Sequence, residues 1–540
     1  MRPASEGPAF RDGAGARTGA RLALTALCAV AALAMLAWPM YWDHGVFVLV
    51  AQSIRDGHAP YVAAFDVKGP VAFLPYALAL SLPVAPGVAV RVADVVVLAA
   101  AAWAIERALR PHLGALARRV VTTLLVLGYV ASGFIMTAQP DGWCALLLTA
   151  AAVYGVCAFG RRPVRAGLTY GVAVGVCVWI KPTFLIFLGP PLAACLGLPP
   201  ARRPALGRAV LAAGAGAAAV AALVLAWLGA QGALGAVAEV QWGFNRTVYA
   251  VAESLGYGRR AGEFVYEVVR GSRYFMFPVL VPGALAFLAD REVPRAARWF
   301  AVAFVGAGAV NLLVQGKFIP YQWMPVAVPV SVMAGLGYAR AAAAAVSAER
   351  SPAVRGVALG ALAIALASLA LEPMREAARG AAVALGVGDR DAYLSTKIYT
   401  NEFTALGDAQ VARYLGARLA PTEPLALWGL PATVPVLAGR PVVSRFVHTE
   451  VLGFGRSPLL DRYRGEYLAA FDRARPRYFI YPVFPAGGAP DTVPAGQIRR
   501  QFPELWTRLA RSYALDTVIP GFVVMRRTDG LPMARAGLAR

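Results

Sequence analysis

Carboxylates and ammonium groups gather in a few short stretches of this chain, each beside a long apolar run. The first stretches read Trp42-Asp43-His44-Gly45, Gly57-His58-Ala59-Pro60-Tyr61 and Asp66-Val67-Lys68-Gly69-Pro70. Further along come Gln139-Pro140-Asp141, Lys181-Pro182-Thr183 and Gly316-Lys317-Phe318-Ile319-Pro320-Tyr321. Lysine is scarce beside arginine, yet Lys68, Lys181 and Lys317 all fall in these stretches. Charge at a membrane surface is costly unless it is paired or used. A carboxylate there can accept a proton from an attacking hydroxyl, and converging cations can stabilise an anionic leaving group.

Each of these residues also has a plainer role open to it. Asp43 and Asp141 stand where an aspartate can cap a following helix. Asp66 and Lys68 can be a solvated loop pair, although Gly69-Pro70 points to a fixed turn. Lys181 and Lys317 can snorkel from apolar runs toward water. His44 reads as a polar loop residue, and Tyr321 and Trp323 as aromatics of the membrane interface. Arg91 and Asp94, three apart on one apolar run, read as an internal ion pair. The five cysteines lie inside apolar runs, which gives no disulfide framework. The histidines have no zinc spacing, so no cofactor is certain and a divalent metal finds no ligand pattern to support it.

The elements that must position these groups are membrane helices. Hydrophobic residues make up 59% of the chain and charged residues 15%, against roughly a quarter charged in soluble domains. A span needs roughly 17–25 apolar residues. About eleven stretches qualify, near 22–40, 88–105, 120–138, 143–159, 166–180, 183–198, 209–230, 274–289, 299–314, 322–339 and 356–371. Arginine clusters separate them, which accounts for the net charge of +22 without nucleic acid. If 166–198 is two spans, six arginine clusters fall on one side, as the positive-inside rule asks. The N-terminus (1–21) is then cytoplasmic and the chemistry-bearing stretches lie outside.

Residues 22–371 form the membrane domain, with outer loops at 41–87 and 231–273. Within the first loop, Val46–Asp56 and Val71–Leu82 read as apolar helices lying along or dipping into the membrane surface. Residues 372–540 have ordinary globular composition. They read as an extracytoplasmic α/β domain with helices at 402–419, 459–474 and 497–512, strands at 425–428, 478–481 and 522–525, and a loop at 484–496. The fold class is thus an α-helical polytopic membrane protein with a C-terminal extracytoplasmic α/β domain.

The ordered set Trp-Asp, Gly-x-x-Pro-Tyr, Asp-x-Lys-Gly-Pro, Pro-Asp, Lys-Pro-Thr and Lys-x-x-Pro-Tyr resembles the GT-C superfamily of membrane glycosyltransferases. The resemblance covers roughly residues 20–340. It is similar to the protein O-mannosyltransferases and the lipid A aminoarabinose transferases. Asp43 is followed by His44 where many relatives carry Asp-Glu, and Asn245 and Arg246 stand in a region where the aminoarabinose type has a histidine. The resemblance implies a polyprenyl-phosphate-linked sugar donor, a glycan, lipid or protein acceptor, and inverting transfer on the outer face of a bacterial inner membrane. It makes Asp43 the base and Lys68, Lys181, Lys317 and Arg246 the donor-phosphate ligands, supported by Asp66, Asp141, His44 and Tyr321. The rival class is a transporter or lipid flippase, which places charge at the bilayer midplane on broken, repeated helices. No repeat is present here, and the charges sit at one surface.

Overall fold

The computed structural model describes residues 14–250, 257–271, 277–346, 351–400, 403–483 and 493–528. Expectations for residues 1–13, Arg350, the helix start at 402, the loop at 484–492 and the stretches 251–256 and 272–276 lie outside the described residues. Contacts divide the chain into two units. The first takes the chain up to Trp38, then Arg91–Val224 and Leu255–Leu385. The second takes Pro39–Val90, Leu225–Ser254 and the chain from Gly386 on.

The chain is a polytopic membrane protein: among the described residues, eight helices are long and apolar enough to cross a bilayer. The remaining expected spans fall on Ala115–Ala131, on 182–197 and on Phe277–Ala289. The second of these is a chain of short turns, mostly 3₁₀, beginning at Lys181-Pro182. A 3₁₀ helix rises ~2.0 Å per residue against ~1.5 Å for an α-helix, so few residues cover much depth. The last membrane helix runs to Ala384.

Lipid supplies no hydrophobic drive between helices, so they associate where small residues let backbones touch. Gly167, Gly171 and Gly175 lie one turn apart on Pro163–Ile180 and face Ala209, Ala213 and Ala217 of Arg203–Ala230. A Cβ at Gly171 would sit 1.9 Å from the Ala213 carbonyl oxygen. Helix Met324–Val346 is the most covered of the spans. It uses the same device, with Gly335 against Val121 and Gly337 against Gly283.

In the second unit, helix Trp42–Arg55 begins four residues before the expected Val46 and buries Val46, Phe47, Val48, Val50 and Ala51. It is a core helix of its unit rather than one lying on the membrane surface. The segment Pro70–Ala79 does keep an open apolar stripe, with Leu74 and Leu78 exposed one turn apart.

Six strands occur among the described residues. A short ribbon pairs β1 (Ile398–Thr400) with β2 (Phe403–Thr404). The main sheet has the order β3 (Ala426–Leu427), β4 (Tyr478–Pro482), β6 (Phe522–Arg527), β5 (Tyr513–Ile519). Only β3 and β4 run parallel. Helix Ala405–Gly416 packs Val411 and Leu415 on this sheet. Strand β5 follows helix Pro503–Ser512 with no loop and carries a register irregularity near Leu515, so its sequence gave no separate signal. The expected helix 497–512 is two helices, Val493–Gln501 and Pro503–Ser512, because Pro503 cannot continue the first.

Gly171→Val should destabilise the membrane unit by about 1–3 kcal/mol through overpacking. Gly214→Val, at a site with nothing within 4 Å of an added Cβ, should melt like the parent. Thermal unfolding in detergent reads the difference.

Candidate active site

Each unit holds part of the chemistry. In the second unit, helix Trp42–Arg55 is capped by Tyr41, and Asp43 is its second residue. Asp43 therefore sits in the first turn, where unpaired backbone N–H groups and the helix dipole favour a carboxylate, but it does not occupy the N-cap position. It is half-buried. His44 is fully buried, and its Nδ1 accepts the Tyr41 amide at 3.0 Å. The polar loop residue expected here is instead a buried capping group.

The start of this helix is fixed from behind. Asp408 is buried and accepts from the Trp42 indole at 3.1 Å and from the Thr433 hydroxyl. The Tyr399 hydroxyl lies 3.1 Å from Asp408 and 2.9 Å from the Met40 carbonyl. Its single proton can serve Met40, which leaves its oxygen to accept from a protonated Asp408. Burial pushes the Asp408 carboxyl up to about 7, against the Trp42 and Thr433 hydrogen bonds that favour its charged form. Gly45 completes the contact: a Cβ there would lie 2.4 Å from the Thr433 nitrogen.

The Asp66-Val67-Lys68 turn belongs to the same unit. Asp66 is buried, with its Oδ1 3.5 Å from His448 Nε2 and its Oδ2 3.3 Å from the Lys68 amide. Burial opposes its ionisation, but His448 and Lys68 outweigh that and hold its carboxyl below the usual range. The backbone here is gripped by Gln241 and Asn245, which donate to the Val67 and Lys68 carbonyls at 2.8–3.3 Å. The Tyr61 hydroxyl also donates to Lys68 O at 2.6 Å. Gln241 and Asn245 lie on an eleven-residue π-helix, Glu239–Tyr249, a form that elsewhere marks functional sites in single turns. Arg246, expected as a phosphate ligand, is exposed one residue further on.

The first unit carries the rest. Asp141 is buried as the second residue of helix Pro140–Ala158, whose N-cap is Gln139. Lys181 donates to both its oxygens, at 2.8 and 3.0 Å, and to Gln315 Oε1 at 2.6 Å. Expected as a phosphate ligand, Lys181 is thus the partner of a buried carboxylate. Nearby in sequence, Gln139 Oε1, Thr183 Oγ1 and Asn311 Nδ2 are buried without a hydrogen-bond partner among the described residues. Arg91 and Asp94 are both buried and electrostatically coupled. They brace the turn before Asp141: Arg91 donates to Phe134 O and Thr137 Oγ1 at 2.9 Å, and Asp94 accepts from Tyr129 and Trp143 at 2.6 and 2.8 Å.

Lys317 is half-buried after helix Arg295–Gln315. Tyr321 and Trp323, expected at the lipid interface, are covered by protein, and Trp323 stacks on Phe264.

Backbone strain marks the same stretches. Four non-glycine residues among those described have positive φ: Tyr61 (68°), Ala138 (56°), Phe318 (51°) and Arg475 (46°). Three of them adjoin the chemistry-bearing stretches, and such strain persists only where surrounding structure enforces it. No cluster of three or more His, Cys, Asp or Glu among the described residues is placed to hold a metal ion.

No family model and no curated protein matches the chain. Solved structures do. ArnT from Cupriavidus metallidurans bound to undecaprenyl phosphate superposes over 94% of this chain and 98% of its own, at TM-score 0.59 and 15% identity. This is the GT-C fold. The apo form of ArnT matches at TM-score 0.58 and 14% identity, over 96% of this chain and 99% of its own. The Archaeoglobus fulgidus oligosaccharyltransferase tethered to an acceptor peptide matches at 0.50 and 11% identity, over 91% and 72%. The GT-C fold therefore extends over nearly the whole chain, the C-terminal α/β part included.

Two outcomes follow from this geometry. Lys181→Ala should lower the melting temperature, because an unpartnered buried charge costs roughly 3–5 kcal/mol. Asp141→Asn with Lys181→Gln should recover most of that loss; a Lys181→Ala variant with parental melting would mean the pair carries no stability. For Asp408, the folded-state pKa of about 7 lies above the unfolded value near 3.8. Its contribution is fully present below the unfolded value and is lost as pH rises through about 7. The melting temperature of Asp408→Asn relative to the parent should accordingly rise between pH 4 and pH 8.

Proposed function

We propose that this chain is an inverting membrane glycosyltransferase. It moves a sugar from a polyprenyl-phosphate donor to an acceptor hydroxyl on the outer face of a bacterial inner membrane, with its N-terminus inside. The fold supports the general class, and undecaprenyl phosphate bound to ArnT supports the donor type.

The observation that carries the assignment of roles is the different fate of three candidate carboxylates. Asp66 and Asp141 are buried and engaged by His448 and Lys181. Asp43 alone keeps partial exposure, at a helix start anchored from behind by Asp408. Asp43 takes the proton of the acceptor hydroxyl while that oxygen attacks the anomeric carbon. The bond from that carbon to the phosphate oxygen breaks on the opposite face, and its electron pair leaves with the polyprenyl phosphate. One displacement inverts the centre. Lys68 and Lys317 are the cations assigned to the departing phosphate. Asp66, His448, Gln241 and Asn245 hold the Lys68 turn, Lys181 acts mainly through Asp141, and His44 acts as a cap.

Asp43→Asn keeps the size of the side chain and removes its charge. It should fold, melt normally and bind donor lipid, yet transfer sugar some 10²–10⁴-fold more slowly, the usual range for a lost general base. Near-parental turnover would end the case for Asp43. Intact donor binding with lost transfer also separates this reading from a transporter, which has no glycosyl product.

A further inference from the structure

A cavity of about 490 Å³ opens within the membrane unit, between helices Pro140–Ala158, Pro163–Ile180, Arg203–Ala230, Arg295–Gln315 and Met324–Val346. It lies toward the ends of these helices opposite to Asp141, Lys181 and Gln315. Its wall takes Val156 and Tyr170 from the first two, Phe300 and Phe304 from the fourth, and Met333 and Leu336 from the fifth. Asp141 and Val156 share one helix, and at ~1.5 Å per residue they stand roughly 22 Å apart along it. The cavity is therefore separate from the Asp141–Lys181 pair.

Its chemistry is that of an amphiphile site. The wall is overwhelmingly apolar, and the size falls within the ~300–1,000 Å³ of small-molecule sites. The mouth is cationic, with Arg161, Arg202 and Arg340 beside His112. Arg340 is paired with Asp290, and His112 hydrogen-bonds to the Cys157 carbonyl. Arg161 and Arg202 are exposed and have no carboxylate partner among the described residues. A water-soluble ligand would leave its polar atoms against hydrocarbon here. A neutral lipid would leave both guanidinium groups unused.

We propose that this cavity binds one anionic phospholipid, its acyl chain between the helices at their ends away from Asp141 and its phosphate on Arg161 and Arg202. The inference is independent of the glycosyl-transfer reading.

The test uses the full purified chain, delipidated and titrated with phosphatidylglycerol or phosphatidylcholine, with bound lipid counted by native mass spectrometry. The parent should retain one phosphatidylglycerol and bind it at least about tenfold more tightly than phosphatidylcholine, the factor expected for charge-assisted contacts. R161Q/R202Q should abolish that preference while leaving the apolar wall intact. Ala301→Phe, which fills the cavity from its wall, should lose the bound lipid of either kind. Melting curves establish that both variants are folded, and the arginine variant decides the matter if the filled one is not. Equal affinity for the two lipids, an undiminished preference in R161Q/R202Q, or release of a polyprenyl phosphate from the parent would overturn the proposal.

Discussion

A charge next to lipid has to be paired, hydrated or used, and that constraint sorts the few charged groups of this chain's membrane and outer stretches. Arg91 and Asp94 are buried and coupled to one another, and their hydrogen bonds to neutral groups brace a turn. Asp141 and Lys181 neutralise one another. Asp66 sits between His448 and the Lys68 backbone. Asp408 meets the constraint differently. Among the described residues no cation pairs with it, so burial drives it toward the neutral acid, with the Trp42 indole and Thr433 hydroxyl donating to it and the Tyr399 oxygen beside it. Asp43 differs from these in keeping partial exposure at the start of a helix.

Strain points to the same places by another route. A tyrosine, an alanine and a phenylalanine hold left-handed backbone at residues 61, 138 and 318, where glycine would be the ordinary choice. Each is followed within a few residues by a charged or amide group that the surrounding side chains then fix. Tyr61 is locked by its own hydroxyl on the Lys68 carbonyl. Ala138 is held by its amide on the Tyr129 hydroxyl, itself bonded to Asp94. Positions enforced in this way are rigid before any ligand arrives, which is what a site needs if binding energy is not to be spent on ordering it.

Much of this was legible in sequence because membrane helices and turn chemistry are local. Apolar run lengths located the spans, and Pro-Asp, Lys-Pro and Gly-Pro located the turns. The partners were not legible, because pairing is a long-range property. Nothing near Lys181 in sequence says that it meets Asp141, and nothing near Trp42 says that Asp408 lies 366 positions away. Arg246 was named as a ligand and Gln241 was not singled out, because charge is the stronger sequence signal. The neutral amides make the contacts, since backbone carbonyls need donors and either amide supplies one. His44 was misplaced for a related reason: a histidine is an uncommon cap, so the helix start reads later than it is.

The second unit also changes what the C-terminal α/β part is for. From sequence it is an appended domain. In the structure its Asp408, Tyr399 and Thr433 form the socket for Trp42. Its Arg445 donates to the Tyr61 carbonyl, and its Glu466 holds that guanidinium with two bonds. Its Tyr463 and Phe446 pack on Phe65 and Phe244. These contacts bury polar and aromatic groups that belong to three separate lengths of chain. Removing the C-terminal part would take Asp408 from the Trp42 indole, Arg445 from the Tyr61 carbonyl, and Phe446 and Tyr463 from the Phe65 ring, each at the cost of an unsatisfied group or an exposed aromatic face. The domain thus packs into one core with the loop that carries Asp43, and the position of Asp43 depends on residues that lie more than 350 positions further along the chain.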